Sequence, residues 1–342
     1  MNSRNKWITF IIFIAYLFGV DSIKRWIKLI LIIVVIIGSA SLYLGIYYYY
    51  IFQRPAPVIN IGSGVDKFGI KQMYPTKPDG EEWYMNMNDP NNDPRTNPQT
   101  TLIKSDDGVT ADGGTSWKIH NTEVRYEVFT SSGFQPNLIT TLNQTELSKK
   151  GYMQSPNDWK NIEMTGYFKI NSFTNSEKNG ATHIELVARG GKNTNDKTLI
   201  NGLQERCEST TYHSNIYETG RVKFEKDLEH TQGYTTNDKE KLNATKKPII
   251  GKWIGIKAVF YNLPDGSVRL EQFIDENSNN NWHRVLLYTD NGHWGGGYPE
   301  CGGLDTQVIT WGGPIAIFRG DNIDDMNVKD FSVREIKPFI KK

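Results

Sequence analysis

The sequence predicts an all-β, antiparallel sandwich of jelly-roll type, preceded by an N-terminal transmembrane helix, and three observations lead there. Residues 29–52, LILIIVVIIGSASLYLGIYYYYIF, hold no charge at all. From about Val65 onward, short stretches of alternating apolar and polar residues, rich in β-branched and aromatic side chains, are separated by Gly, Asn, Asp and Pro clusters; that is the pattern of half-buried strands joined by turns. No heptad or internal repeat breaks that pattern.

The N-terminal elements follow from composition. Residues 1–28 form a cytoplasmic or interfacial segment that contains a second apolar run, Trp7–Val20, about as long as a signal-peptide core and short for a span. If that run crossed as well, the two spans would form a hairpin and return the domain to the cytoplasm. Residues 29–52 exceed the ~20 residues that a helix needs to cross a bilayer. Lys24, Arg25 and Lys28 precede the run and only Arg54 follows it, while Tyr47–Tyr50 suit the headgroup boundary; the excess of positive charge keeps the N-terminus inside. Residues 53–64, QRPAPVINIGSG, read as a stalk, and residues 65–342 as a single-pass protein's extracytoplasmic jelly-roll domain.

After residue 54 there are 33 basic and 37 acidic residues, a net charge of −4, which excludes a general nucleic-acid binder. Cys207 and Cys301 are the only cysteines; an even pair in an extracytoplasmic domain points to a disulfide. Asn143 and Asn243 each open an N-x-Ser/Thr sequon of a glycoprotein.

Strands are expected at 117–130, 160–170, 182–189, 212–217, 221–229, 252–261, 267–275, 282–289, 307–310, 314–319 and 326–336. Pro264-Asp265-Gly266 lies between two alternating runs and predicts a tight turn, making 252–289 a three-stranded meander. Spacing of this kind over nearly 280 residues suits one large sandwich.

The meander GKWIGIKAVFYN–DGSVRLEQFIDE with its Trp-led third strand, and the closing stretch GGPIAIFRGDNIDDMNVKDFSVREI (312–336), resemble the concanavalin A-like lectin/glucanase superfamily, in particular its laminin-G-like, glucanase and polysaccharide-lyase members. The resemblance covers roughly residues 160–336. It implies two curved antiparallel sheets, one of which binds extended glycans, so polysaccharide or surface glycan is the expected partner, with a structural Ca²⁺ as the one expected cofactor.

Two strands compete to carry chemistry. In THIELVARGGK (182–192), His183, Glu185 and Arg189 share the face opposite Ile184, Leu186 and Ala188 by period-two alternation. A uronate lyase needs a cation beside the carboxylate and a base for the acidic proton: Arg189 and His183 are the candidates, with His213 of TYHSNIY joining them. Alginate lyases of this fold carry Arg/Glu/Arg on the corresponding strand and a Gln-x-His strand; the first position here is His183, and no Gln-x-His accompanies it. In FEKDLEH, Glu225, Asp227 and Glu229 resemble the Glu-x-Asp-x-Glu motif of retaining glucanases, with Glu225 as nucleophile and Glu229 as acid/base. Lys226, at a position that should pack the core, favours an exposed strand end whose acids merely solubilise. Tyr212, Trp253, Tyr261 and Trp294 are the candidate stacking surfaces for sugar rings, Trp294 being the one expected to be exposed. Asp275, Asn277 and Asn279 alternate oxygen ligands as Ca²⁺ prefers, or form a solvated hairpin tip. The function expected is a membrane-anchored surface domain that binds polysaccharide, with or without cleaving it; the alternative is a structural or adhesive surface protein with a lectin-like sandwich and no turnover.

Overall fold

A computed structural model describes residues 64–98, 101–109, 115–120, 123–139, 143–174, 182–190, 210–228, 239–297 and 299–338, together with 28, 31 and 34–43. The chain divides into two compact units, 1–60 and 61–342. In the first, residues 34–43 are helical, and Leu31, Val34, Val35, Ile36, Ile37, Leu42 and Tyr43 are all exposed. Among the described residues no helix is long and apolar enough to cross a membrane; residues 29–30, 32–33 and 44–52 lie outside them.

The second unit is a sandwich of two antiparallel sheets. Its strands are β1 (Glu82–Tyr84), β2 (Thr96–Pro98), β3 (Ile103–Val109), β4 (Thr115–His120), β5 (Glu123–Phe129), β6 (Ile162–Phe173), β7 (His183–Gly190), β8 (Thr211–Tyr217), β9 (Val222–Asp227), β10 (Lys239–Lys241), β11 (Ile254–Asn262), β12 (Val268–Asp275), β13 (His283–Asp290), β14 (Ile315–Asp321) and β15 (Ile323–Glu335). The eight-stranded sheet runs β13-β12-β11-β6-β15-β4-β3, with β1 also on β15, and the seven-stranded sheet runs β10-β9-β8-β7-β14-β5-β2.

The meander is present as β11-β12-β13. Gly266 closes its first turn at φ 84°, where a β-carbon would be strained, and the Asp265 carboxylate accepts the Ser267 amide. Two expected strands are corrected. The stretch 117–130 is not one strand: β4 and β5 belong to different sheets, so the chain crosses the sandwich between them. Residues 307–310 form no strand; their backbone is held by buried side chains instead, Ile309 N donating to the Tyr212 hydroxyl and Ile309 O accepting from Arg189.

Alternation places Ile184, Leu186, Ile216, Phe224, Ile256, Phe260, Phe318 and Val333 in one core between the sheets. A second apolar cluster lies on the outer face of the eight-stranded sheet, where Ile70, Met73 and Tyr74 pack on Tyr167, Val259, Tyr261, Phe273 and Trp282. Gly255 lets Tyr167 and Trp282 come together: a β-carbon there would meet Trp282 at 2.5 Å and Tyr167 at 2.7 Å. Beneath the segment, one Glu163 oxygen accepts from Lys257 (3.0 Å) and forms an ion pair with Arg334 (2.9 Å), and the other accepts from the Met73 and Tyr74 amides. Burial pushes the Glu163 carboxyl up, and the two cations more than offset it, leaving it below its ordinary value.

Removing one member of a buried charge set leaves an uncompensated charge, at a cost of about 3–5 kcal/mol. Lys257→Met is therefore expected to lower unfolding free energy by about that amount in denaturant melts, and an unchanged midpoint would contradict this account of the outer face.

Candidate functional site

The outer face of the seven-stranded sheet carries the polar cluster. Antiparallel register sets Glu185 directly between Asn215 and Arg319, His183 between Tyr217 and Asp321, and His213 opposite Glu225. Directly opposed residues on adjacent strands share a face and bring their side chains within contact distance, so three strands, β7, β8 and β14, converge on the Glu185 carboxylate. Glu185 Oε1 lies 2.7 Å from His183 Nε2, and Oε2 lies 3.2 Å from His213 Nδ1 and 3.3 Å from Arg319 Nη1. Arg319 also grips Asp321, at 2.9 Å through Nε and 2.6 Å through Nη2. The other ring nitrogen of His213 meets Thr211 Oγ1 at 2.7 Å. Glu225 accepts from Asn215 Nδ2 (2.6 Å) and pairs with Lys223.

Burial differs across the cluster. Glu185 and His213 are buried, whereas the His183, Arg319, Asp321, Lys223 and Glu225 side chains keep 13–17% of their surface open. Burial pushes the Glu185 carboxyl up, but the His213 charge, the hydrogen bonds from both histidines and Arg319 together hold it well below the usual carboxylate range. For His213 burial acts downward, and the Glu185 charge and hydrogen bond outweigh it, leaving the imidazole raised. Asp321 is raised, by burial first, with the Glu185 charge adding to it against Arg319.

His183, Glu185 and His213 are brought together as expected. Arg189 is not: the β7–β14 register shifts between Ile315 and Ile317, Arg189 adopts φ 68°, and its side chain is buried away from the cluster, with Nη1 on Ile309 O and the guanidinium over the Tyr212 ring at 5.9 Å. Arg319 supplies the cation instead. Period-two reasoning failed there because a bulge breaks the period.

Glu225 joins the cluster, Asp227 is buried at the strand end opposite Thr211, and Glu229 lies outside the described residues. Lys226 is no sign of an exposed strand end. It is wholly buried, 2.9 Å from Asp290, with its ammonium also on the Gly295 and Gln307 carbonyls.

The aromatic candidates do not form a stacking surface. Tyr212 and Trp294 are buried against one another, ring centroids 6.2 Å apart and 16° from parallel; Trp294, expected to be exposed, is instead closed in by Tyr212 and Tyr288. Tyr261 is buried on the outer face of the other sheet, its hydroxyl on Glu271, and Trp253 packs beside that cluster under Lys329. At the β12–β13 tip, Asp275 accepts the Asn279 and Asn280 amides and the Tyr167 hydroxyl, and Asn279 Oδ1 accepts the Asn281 amide. Those oxygens serve the turn, and with Asn277 exposed the tip does not fit a Ca²⁺ cage.

Asn143 caps the short helix Gln144–Lys150 by accepting the Glu146 amide, and Asn243 stands exposed at φ 56°. Cys301 is buried, and Cys207 lies outside the described residues. Sequence reasoning missed Arg319, Asp321, Asn215 and Lys223, and also Arg125 and Glu127, which extend the polar face along β5. The alternations R-x-E in EVRYEVF and R-x-D in IFRGDN were the available signal.

No protein-family model and no curated protein matches the chain. Solved structures similar to it include a protein of unknown function with a galectin-like fold from Bacillus subtilis (11% identity, 78% of this chain and 100% of that one, TM-score 0.41). The endo-β-1,4-glucuronan lyase of Trichoderma reesei is similar at 10% identity, over 73% of this chain and 96% of that one, with TM-score 0.37. The receptor-binding domain of botulinum neurotoxin type G is similar at 12% identity over 70% of this chain, TM-score 0.33, and the chain spans 44% of that domain's length.

A folded-state value raised above the unfolded one means that the His213 contribution is complete below the unfolded value of about 6.5 and is lost as pH rises through the folded one. Glu185, depressed, contributes above about 4.5 and loses its share as pH falls through its folded value. The pair thus stabilises most between about 4.5 and 6.5. In chelator-treated protein, the melting temperature is expected to fall on the alkaline side of that window, and His213→Gln to flatten that limb; parallel profiles for both proteins would refute the assignment.

Proposed function

We propose that the domain binds polysaccharide along the outer face of the seven-stranded sheet. The observation that carries this reading is the partly open ring of His183, Arg319, Asp321, Lys223 and Glu225 around the buried Glu185–His213 pair. Side chains already locked by one another are preorganised donors and acceptors, which a hydroxyl-rich ligand can meet without paying to order them. A few convergent polar groups of this kind fix the orientation of a ligand.

A second reading, cleavage by elimination, is favoured by one contact: His183 stands beside Arg319 and shares Asp321 with it. A uronate carboxylate on Arg319 would be neutralised there, and an unprotonated His183 would be the base for the neighbouring proton. Hydrolysis through Glu225 and Glu229 has less support, because Glu225 is engaged by Lys223 and Asn215.

The domain is proposed to be held outside the cell by residues 29–52, with Cys207 and Cys301 paired and the sequon asparagines Asn143 and Asn243 as glycan acceptors. Support for the anchor comes from the helical stretch 34–43, whose described apolar side chains are exposed at 59–72%, a surface that water disfavours and lipid does not. Alkaline carbonate extraction is expected to leave the full chain with the membrane, and protease added outside to remove the domain; release into the soluble fraction would overturn the anchor.

For the site, the full chain in detergent is passed over immobilised neutral, uronate and sulfated polysaccharides. Retention on at least one is expected, with Arg319→Ala and His183→Ala each weakening it by roughly tenfold, the worth of one charged hydrogen bond. Growth of unsaturated-uronate absorbance would establish elimination, and new reducing ends without it hydrolysis. Retention on none of the polysaccharides would end the binding proposal.

A further inference from the structure

We infer that the cluster is also a divalent transition-metal site, with His213 Nδ1, Glu185 and Glu225 as ligands, Asn215 Oδ1 as the fourth, and Zn²⁺ the ion its donor set suits best. One ligand atom each from Glu185, His213 and Glu225 lies within 4.8 Å of the other two. A tetrahedral zinc with bonds of about 2.0–2.1 Å separates its ligands by roughly 3.4 Å; His213 Nδ1 and Glu185 Oε2 are already 3.2 Å apart.

A separate observation points the same way. Asn215 is wholly buried between Glu185 and Lys223 in the cross-strand row, and its amide nitrogen is spent on Glu225. Among the described residues its carbonyl oxygen has no hydrogen-bond partner, which for a buried acceptor costs about 1–3 kcal/mol. A cation beside it would remove that cost. Thr211 Oγ1, on the far nitrogen of His213, does what an outer-shell partner does at zinc sites: it fixes the ring and leaves the other nitrogen for the metal.

Without an ion, the Glu185 and Glu225 carboxylates are met by Arg319, Lys223 and His213 Nδ1. On binding, the Nδ1 proton leaves to solvent and the ion takes its place. Arg319 and Lys223, both partly exposed, keep room to turn outward. Imidazole among the ligands separates this site from a hard-cation site, which takes oxygen alone. The second triad, His183, Glu185 and Asp321, shares Glu185 but has both its carboxylates held by one guanidinium, Arg319, which grips Asp321 through two nitrogens and Glu185 through a third, whereas Glu225 is held by one ammonium and one amide, Lys223 and Asn215.

The test is titration of the untagged, chelator-stripped full chain with Zn²⁺ against a chromogenic competitor, with no glycan present. About one Zn²⁺ per chain is expected, at a dissociation constant below roughly 1 µM. His213→Gln and Glu225→Gln should each weaken it by about 100-fold or more, and Thr211→Val by about tenfold, restored by Thr211→Ser. His183→Gln should stay within about threefold. Circular dichroism checks that each variant folds, and Glu225→Gln, at a partly open position, guards against collapse at His213. No zinc uptake, equal uptake by all variants, or loss in His183→Gln with retention in His213→Gln would each overturn the site. Because glycan is absent, these outcomes are independent of polysaccharide retention, which chelator-treated protein can show whether or not zinc binds.

Discussion

A carboxylate taken out of water must be met by charge and by hydrogen bonds, and this sandwich meets that demand on the outer face of both sheets. On the eight-stranded sheet, Glu163 is closed in by Lys257, Arg334 and two amides of the segment that crosses it. On the seven-stranded sheet, Glu185 is met, among the described residues, by side chains of its own and neighbouring strands, His183, His213 and Arg319. The first arrangement welds chain to sheet. The second leaves a rim of partly open ionisable groups, and that difference separates a structural face from one able to receive a ligand.

The same demand explains where the aromatic rings and the odd lysine went. Lys226 points into the core, so Asp290 must follow it, and Tyr212 donates to that carboxylate at 2.6 Å. Trp294 then stacks on Tyr212 and closes the loop that carries it over the end of the core. Rings used in this way cannot also stack on sugar. Any glycan held by the seven-stranded face is held by charge and hydrogen bonds, and recognition of that kind is sensitive to salt and pH in a way that ring stacking is not.

Much of the fold was legible because alternation and turn chemistry are local. The meander, its Pro264-Asp265-Gly266 turn and the strands β14 and β15, one in each sheet, follow from side chains that alternate and glycines that permit positive φ. Three-residue strands such as β1, β2 and β10 are too short to show a period, and their pairing depends on partners far away in sequence. Of the candidate site, the alternation in THIELVARGGK correctly joined His183 to Glu185. It misjudged Arg189, because the bulge that turns this residue is set by pairing with β14, more than 120 positions away.

Local residue order therefore settled the all-β class, the strand faces and the separation of a charge-free N-terminal run from the rest, since each depends on neighbours two or a few positions apart. Long-range register settled which polar residues meet. Arg319 reaches Glu185 across 134 positions, and His213 faces Glu225 because β8 pairs with β9 in one register and not the next. A shift of one residue would have turned every one of these side chains into the core, so the cluster exists only in the folded sheet.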